Sequence, residues 1–379
     1  MKKKLQMITA FCLTMVLLLS MAGCGQGTPA SSPDDTATRT ITDLTGRQVE
    51  VPTTINSVAC TGMQATRMAI YAGGIDKISA VSNNEKGEKN ANLCGPIAYV
   101  YSEQLQALPA IASGFPQFEI YPEEMVTVDP DVILHASADA TELDDLQAKT
   151  QIPVIGVGTD TDFSTEQFRQ TMALLGDLLG TTEQTDALIA YVDGCIADLD
   201  TRTKDIPDSE KPSVYYGGVS FRGYNGMDAT YAKYHPFEAI HANNAADNTG
   251  GEGAMTVELE QVTAWDPDII FINMEPATLG ILSDEFASNR EFFKNLSAVQ
   301  NGQVYAQAAY NFVNTNVELS LVNAYYAATV IYPEQFADVN FEEKAAEILT
   351  AFLGEAGADY LEALNENGIG YQNVTIFEN

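Results

Sequence analysis

The sequence predicts an α/β protein of two pseudo-related lobes with mainly parallel sheets, joined by one long inter-lobe α-helix. Three observations predict it. Short apolar runs alternate with helical patterns from Ile41 onward, an eleven-residue segment recurs 137 residues later, and a stretch of helical spacing separates the two halves. At ~100–200 residues per domain, 379 residues accommodate that plan.

Residues 1–23 read as an address. Lys2, Lys3 and Lys4 precede an apolar run from Met7 to Met21, too short for a comfortable membrane span of about 20 residues. Leu18-Leu-Ser-Met-Ala-Gly-Cys24 resembles the lipobox of bacterial lipoproteins, which implies cleavage before Cys24 and acylation of that residue. Residues 24–40, rich in Gly, Thr, Ser, Pro and Asp, read as a flexible tether.

The first lobe is expected over residues 41–164. It opens with a strand at Ile41–Pro52. Asn56–Thr61, Lys77–Val81, Asp131–Ala136 and Ile152–Val157 read as buried strands, with helices at Met63–Ala72 and Tyr121–Val126. A helical connector is expected over residues 165–205. Phe168, Met172, Leu175 and Leu179 share one face, then Leu188, Val192, Cys195 and Leu199 share another after Gly180-Thr-Thr182. Its second helix, Glu183–Lys204, spans on the order of 33 Å at ~1.5 Å per residue.

The second lobe is expected over residues 206–379. Ser213–Tyr216, Asp268–Asn273 and Gln303–Ala306 read as strands; Pro236–Ala242, Val257–Ala264, Val317–Ile331, Phe341–Leu353 and Ala358–Asn365 read as helices. The recurring segment ties the lobes together. Glu123-Glu-Met-Val-Thr-Val-Asp-Pro-Asp-Val-Ile133 aligns without gaps on Glu260-Gln-Val-Thr-Ala-Trp-Asp-Pro-Asp-Ile-Ile270. Each copy reads as a short helix, an Asp-Pro turn and a buried strand.

Composition excludes several classes. With 19 Lys+Arg against 52 Asp+Glu the formal charge is −33, so nucleic acid is not a partner. Cys60, Cys94 and Cys195 form no CxxC or Cys/His cluster, so no structural metal site is expected and buried thiols are the default. No P-loop, GxGxxG or HExxH occurs, and Gly218-Val-Ser-Phe-Arg-Gly223 is one residue too long for a nucleophile elbow. An enzyme using His135, His235 and nearby carboxylates stays open as an alternative.

The loops after strands instead carry aromatics and amides, which suit a sizeable small-molecule ligand. By loop position, Met63, Asn83, Tyr99 and His135 of the first lobe should face Tyr216, Arg222, Tyr224, His235, Tyr310 and Phe312 of the second.

The lipobox, the tether, the opening strand, the long connector and the paired Glu-led Asp-Pro-Asp segments together resemble a known family over residues 39–332. It is the class III periplasmic binding proteins, the ABC-transporter solute-binding proteins of the ferric-siderophore, haem and cobalamin type. The resemblance implies a lipid-anchored, extracytoplasmic, monomeric receptor without a resident cofactor. It would hold a metal chelate (an iron complex or a corrinoid) between its lobes and deliver it to an ABC permease dimer with ATPase subunits. In that family a surface Glu on each lobe engages permease arginines, which carries over to Glu123 and Glu260. Iron-catecholate binders often gather several cleft arginines. Arg222 and Arg67 are the obvious candidates here, so a neutral hydroxamate chelate, haem or a corrinoid fits better than a highly anionic one. Some relatives bind oxyanions such as molybdate, which keeps that ligand class open.

Overall fold

A computed structural model describes residues 37–87, 93–114, 118–220, 223–311 and 314–377. The expected opening strand is instead a hairpin, β1 (Thr38–Thr42) and β2 (Gln48–Pro52), paired antiparallel with Ile41 opposite Val49. Asp43 folds the turn: its Oδ1 accepts from the backbone N–H groups of Thr45 and Arg47, 3.0 Å each. The first strand starts at Thr38, inside the stretch read as tether. Arg39 anchors it there by an ion pair to Asp177 at 2.9 Å, a long-range contact that composition does not reveal.

The N-lobe sheet contains β3 (Val58–Thr61), β4 (Ile78–Ser82), β5 (Ala110–Ala112), β6 (Val132–Ala136) and β7 (Val154–Val157). All its pairings are parallel, in the order β5-β4-β3-β6-β7. Its strands read as apolar runs because both faces are covered. Val58, Cys60, Val132 and Leu134 join the main core, while Ala59, Ile133 and Val154 pack under Met125, Leu143 and Leu146 of two covering helices. That split is the period-two alternation of a pleated strand.

The C-lobe sheet contains β8 (Ser213–Gly217), β9 (Ala229–Ala232), β10 (Asn243–Asn244), β11 (Gly253–Thr256), β12 (Ile269–Met274), β13 (Val304–Ala308) and β14 (Gln372–Asn373). Its centre is parallel, with β8 against β12 and β12 against β13. The sequence reading did not include its antiparallel strands β9, β11 and β14.

The 137-residue repeat is a structural device. Helices Pro122–Val128 and Leu259–Trp265 each end on an Asp in the left-handed region, Asp129 (φ 53°) and Asp266 (φ 40°). Two residues on, each Asp carboxylate holds the start of the strand adjoining its own. Asp131 accepts from the N–H groups of Asn56 (2.7 Å) and Ser57 (3.0 Å), and Asp268 from that of Ser213 (2.8 Å). Met125 and Val262, also 137 apart, are the buried residues that seat the two helices.

The connector is the helix Thr182–Thr203, preceded by the helix Glu166–Leu179. Gly180 closes the earlier helix at φ +72°, a conformation favouring glycine. Gly176 lets the pair approach: a Cβ there would lie 2.1 Å from Thr185 Oγ1. At its far end Arg202 pairs with Asp198 (2.8 Å) and Asp338 (2.7 Å). The closing helices Phe341–Leu353 and Ala358–Glu366, read as part of the second lobe, lean on the first before β14 returns to the C-lobe sheet. Phe352 packs edge-on against Tyr71 at 5.0 Å, and Tyr101 Oη donates to the Leu353 carbonyl at 2.7 Å.

Candidate functional site

In parallel α/β sheets, ligands bind beyond the carboxyl ends of the strands. Here the segments that follow those ends in one lobe touch the other lobe. Gln64 and Arg67, just after β3, donate to the Thr315 carbonyl at 3.2 and 3.0 Å. Asn316 Nδ2 donates to the Cys94 carbonyl at 3.3 Å. Ser320 Oγ donates to Asp162 Oδ2 at 2.9 Å, and Ser164 Oγ lies 3.0 Å from His235 Nδ1. Deeper in, Tyr71 hydrogen-bonds Glu318.

This junction buries polar chemistry. Arg67, Glu85, Asp162, Glu275 and Glu318 are each at most 5% exposed. Burial pushes Glu85 up to about 7 against the opposing pull of the Arg67 guanidinium. Burial likewise pushes Asp162 up to about 6, opposed by His235 and the Ser320 hydroxyl. Glu318 is raised by burial and drawn back by Arg67. The Cys94 thiol is pushed up to about 12, first by burial and then by the charge of Glu275 across the junction. Several buried oxygens here find no hydrogen-bond partner: Thr61 Oγ1, Ser82 Oγ, Thr161 Oγ1, Asp162 Oδ1 and Glu318 Oε1. Leaving such groups unpaired is costly, so they mark a place where a ligand or water completes the bonding.

The candidate residues from the sequence divide. Met63 (38% exposed) and Tyr224 (55% exposed) are large apolar side chains open to solvent, in the segments after β3 and β8. Asn83 is exposed in the turn after β4. His235 is half-buried and reaches across to Ser164. Tyr99 is half-buried, its ring 5.4 Å from that of Tyr360. Arg222 and Phe312 lie outside the described residues, as does Cys24.

Two candidates sit within strands, and a third is buried in the loop where it was expected. His135 belongs to β6 and is buried, with Nε2 3.3 Å from Glu142 Oε1 of the same lobe. Tyr216 belongs to β8, stacks on Tyr234 at 4.2 Å and donates to Asn273 Oδ1 at 2.7 Å. Tyr310 is 3% exposed and packs edge-on against Tyr234 at 5.5 Å. A central strand buried on both faces accepts a tyrosine whose hydroxyl finds a partner, so the Tyr216 ring belongs to the C-lobe core; Tyr310, two residues beyond β13, is buried beside the same aromatic cluster. Glu85, Asp162, Glu275 and Glu318 had not been singled out. The one local signal was Glu318, a carboxylate opening the otherwise apolar helix Val317–Ile331.

The comparisons with known proteins decide the family. Residues 58–310 match the family described as periplasmic binding protein, from β3 to the segment after β13. The chain belongs to the periplasmic binding protein family. This periplasmic binding protein is 21% identical over 315 residues to YvrC of Bacillus subtilis, named as an ABC transporter substrate-binding lipoprotein; the match covers 80% of this chain and 90% of that one. It is 21% identical over 339 residues to the molybdate-binding protein MolA of Haemophilus influenzae, covering 83% and 91%. Among solved structures, a periplasmic solute binding protein from Veillonella parvula superposes with a TM-score of 0.67 at 19% identity, covering 88% of this chain and 99% of that one. The expected fold and family thus stand: this is an ABC-transporter substrate-binding protein of class III, and its family members are transport proteins, not enzymes.

Proposed function

We propose that this periplasmic binding protein is a lipid-anchored extracytoplasmic receptor that holds a metal chelate between its lobes and hands it to an ABC permease. The chelate class is an iron complex (siderophore or haem) or a corrinoid. The observation that carries the reading is the junction itself, where strand-end segments of both lobes meet around buried oxygens without partners. Exposed Met63 and Tyr224 supply apolar contact for a chelate periphery. In this reading Cys24 carries the lipid, the monomer is the working form, and Glu123 and Glu260 dock the permease. Both carboxylates are exposed, each at the second position of its helix. Val126, one turn from Glu123, is exposed as well.

A second reading, an oxyanion receptor, is favoured by the likeness to the molybdate-binding relative and by the buried Arg67 guanidinium. Tyrosine fluorescence titrations with a ferric trihydroxamate, haemin, cobalamin and molybdate separate the two. Saturable binding of a chelate supports the first reading; binding of molybdate alone replaces it with the second. The anchor has its own test. Cys24→Ser should release the protein into the medium or leave it unprocessed, and unchanged membrane retention would contradict lipidation.

A further inference from the structure

Among the described residues, the buried charged or imidazole side chains are Asp43, Arg67, Glu85, His135, Asp162, Glu275 and Glu318. Two of these lie away from the junction. Asp43 pairs with Arg47 at 3.0 Å, and His135 sits beside Glu142. The other five lie where the lobes meet: four carboxylates against one guanidinium. Arg67 is already engaged, donating to Gln64 Oε1 and the Thr315 carbonyl with Glu85 and Glu318 around it. That leaves Asp162 and Glu275 with no buried cation of their own. His235 stands near Asp162, half-buried and bonded to Ser164. Asn273 Nδ2 gives Glu275 Oε1 only a neutral donor at 3.1 Å.

Burying surplus negative charge is costly unless the carboxyls take up protons or a positive charge arrives. Two neighbouring details point to an incoming group. Asp162, 3% exposed, faces the Ser320 hydroxyl and the backbone N–H groups of Phe163 and Ser164, yet its Oδ1 lacks a well-formed hydrogen bond, and Thr161 Oγ1 beside it is unpartnered at 1% exposure. We infer that the inter-lobe site of this chain selects ligands carrying net positive charge, with Asp162 and Glu275 as the residues that set the preference. Resting on the receptor reading above, this narrows the chelate class to cationic complexes and runs against oxyanions and polyanionic catecholates. The selection acts through the field of the site and needs no direct coordination of the metal. In a medium of intermediate effective dielectric a single charge reversal near two carboxylates changes affinity by about tenfold or more.

One ferric trihydroxamate scaffold tests this with size and shape nearly fixed. Its terminal amine is left free for a monocation, acetylated for a neutral chelate, or succinylated for a monoanion. Calorimetric titration of the full chain should rank cation over neutral over anion, with at least about tenfold between the extremes. Asp162→Asn and Glu275→Gln should each shrink that ratio, and thermal melts that match the wild type show that the variants fold. Equal affinities across the series, or an unchanged ratio in both variants, would overturn the charge inference and leave the receptor reading standing. Binding of none of the three alongside binding of molybdate would overturn both.

Discussion

Glu85→Gln provides a quantitative test of the inter-lobe junction. Glu85 sits in the turn after β4, 5% exposed, with burial pushing it up to about 7 from an ordinary value of 4.5. An acid raised on folding binds its proton more tightly in the folded chain. Its stabilising contribution is therefore fully present below the unfolded value and is lost as pH rises through about 7. A difference of that size corresponds to roughly 3 kcal/mol, most of which falls between pH 5 and pH 8. Glutamine keeps the shape and removes the titration. Urea unfolding of both proteins at pH 5 and pH 8 yields a double difference in which packing changes and the parallel titration of Asp162 cancel. The expected double difference is about 2–3 kcal/mol, with the wild type losing more stability than the variant on going to pH 8. Parallel pH profiles would refute the argument, because they would mean that Glu85 titrates as a solvated side chain.

Three other expectations follow from named contacts. Glu123→Ala and Glu260→Ala should leave ligand affinity intact and impair uptake, the double variant more than either, since truncating a desolvated interfacial carboxylate costs about 2–5 kcal/mol; normal uptake by the double variant removes their docking role. Asp131→Ala should lower stability by about 2 kcal/mol and Asp268→Ala by about 1, in proportion to the backbone donors each carboxylate holds, as read by urea midpoints; equal losses would contradict that accounting. The proline-free helix Thr182–Thr203 and the buried Tyr71–Phe352 contact should keep lobe closure small. X-ray scattering profiles with and without ligand should then nearly superimpose, and a large compaction would refute a rigid junction.

Much of the architecture was legible because parallel strands covered on both faces leave uninterrupted apolar runs. Val58–Thr61, Val132–Ala136 and Ile269–Met274 are such runs, and the connector's bounds differ from the expected ones by one residue at each end. The antiparallel strands were not legible, since Ala229–Ala232 and Gly253–Thr256 are short and only partly apolar. Position within a strand was the weak point for the site. Tyr216 is aromatic like a ligand-contacting residue, yet it lies within β8 and its ring stacks on Tyr234. The acidic junction escaped notice for the opposite reason. Glu85, Asp162, Glu275 and Glu318 come from four distant segments and share no local pattern; only the fold brings them together.

Also on the C-lobe, a cavity of about 1040 Å³ lined by Asp228, Glu258, Glu260, Asp284 and Glu285 lies on the same surface as the proposed docking carboxylate. Hydrogen–deuterium exchange, comparing the chain loaded with the tightest-binding chelate and the chain stripped of it, therefore tests the central claim most directly. Capture between the lobes predicts protection in both at once, at residues 61–67, 82–87 and 160–164 of the N-lobe and 218–225 and 308–316 of the C-lobe. Exchange around Glu123 and around the Glu260 cavity should not change. Protection confined to one lobe, or centred on the Glu260 cavity, would contradict the account.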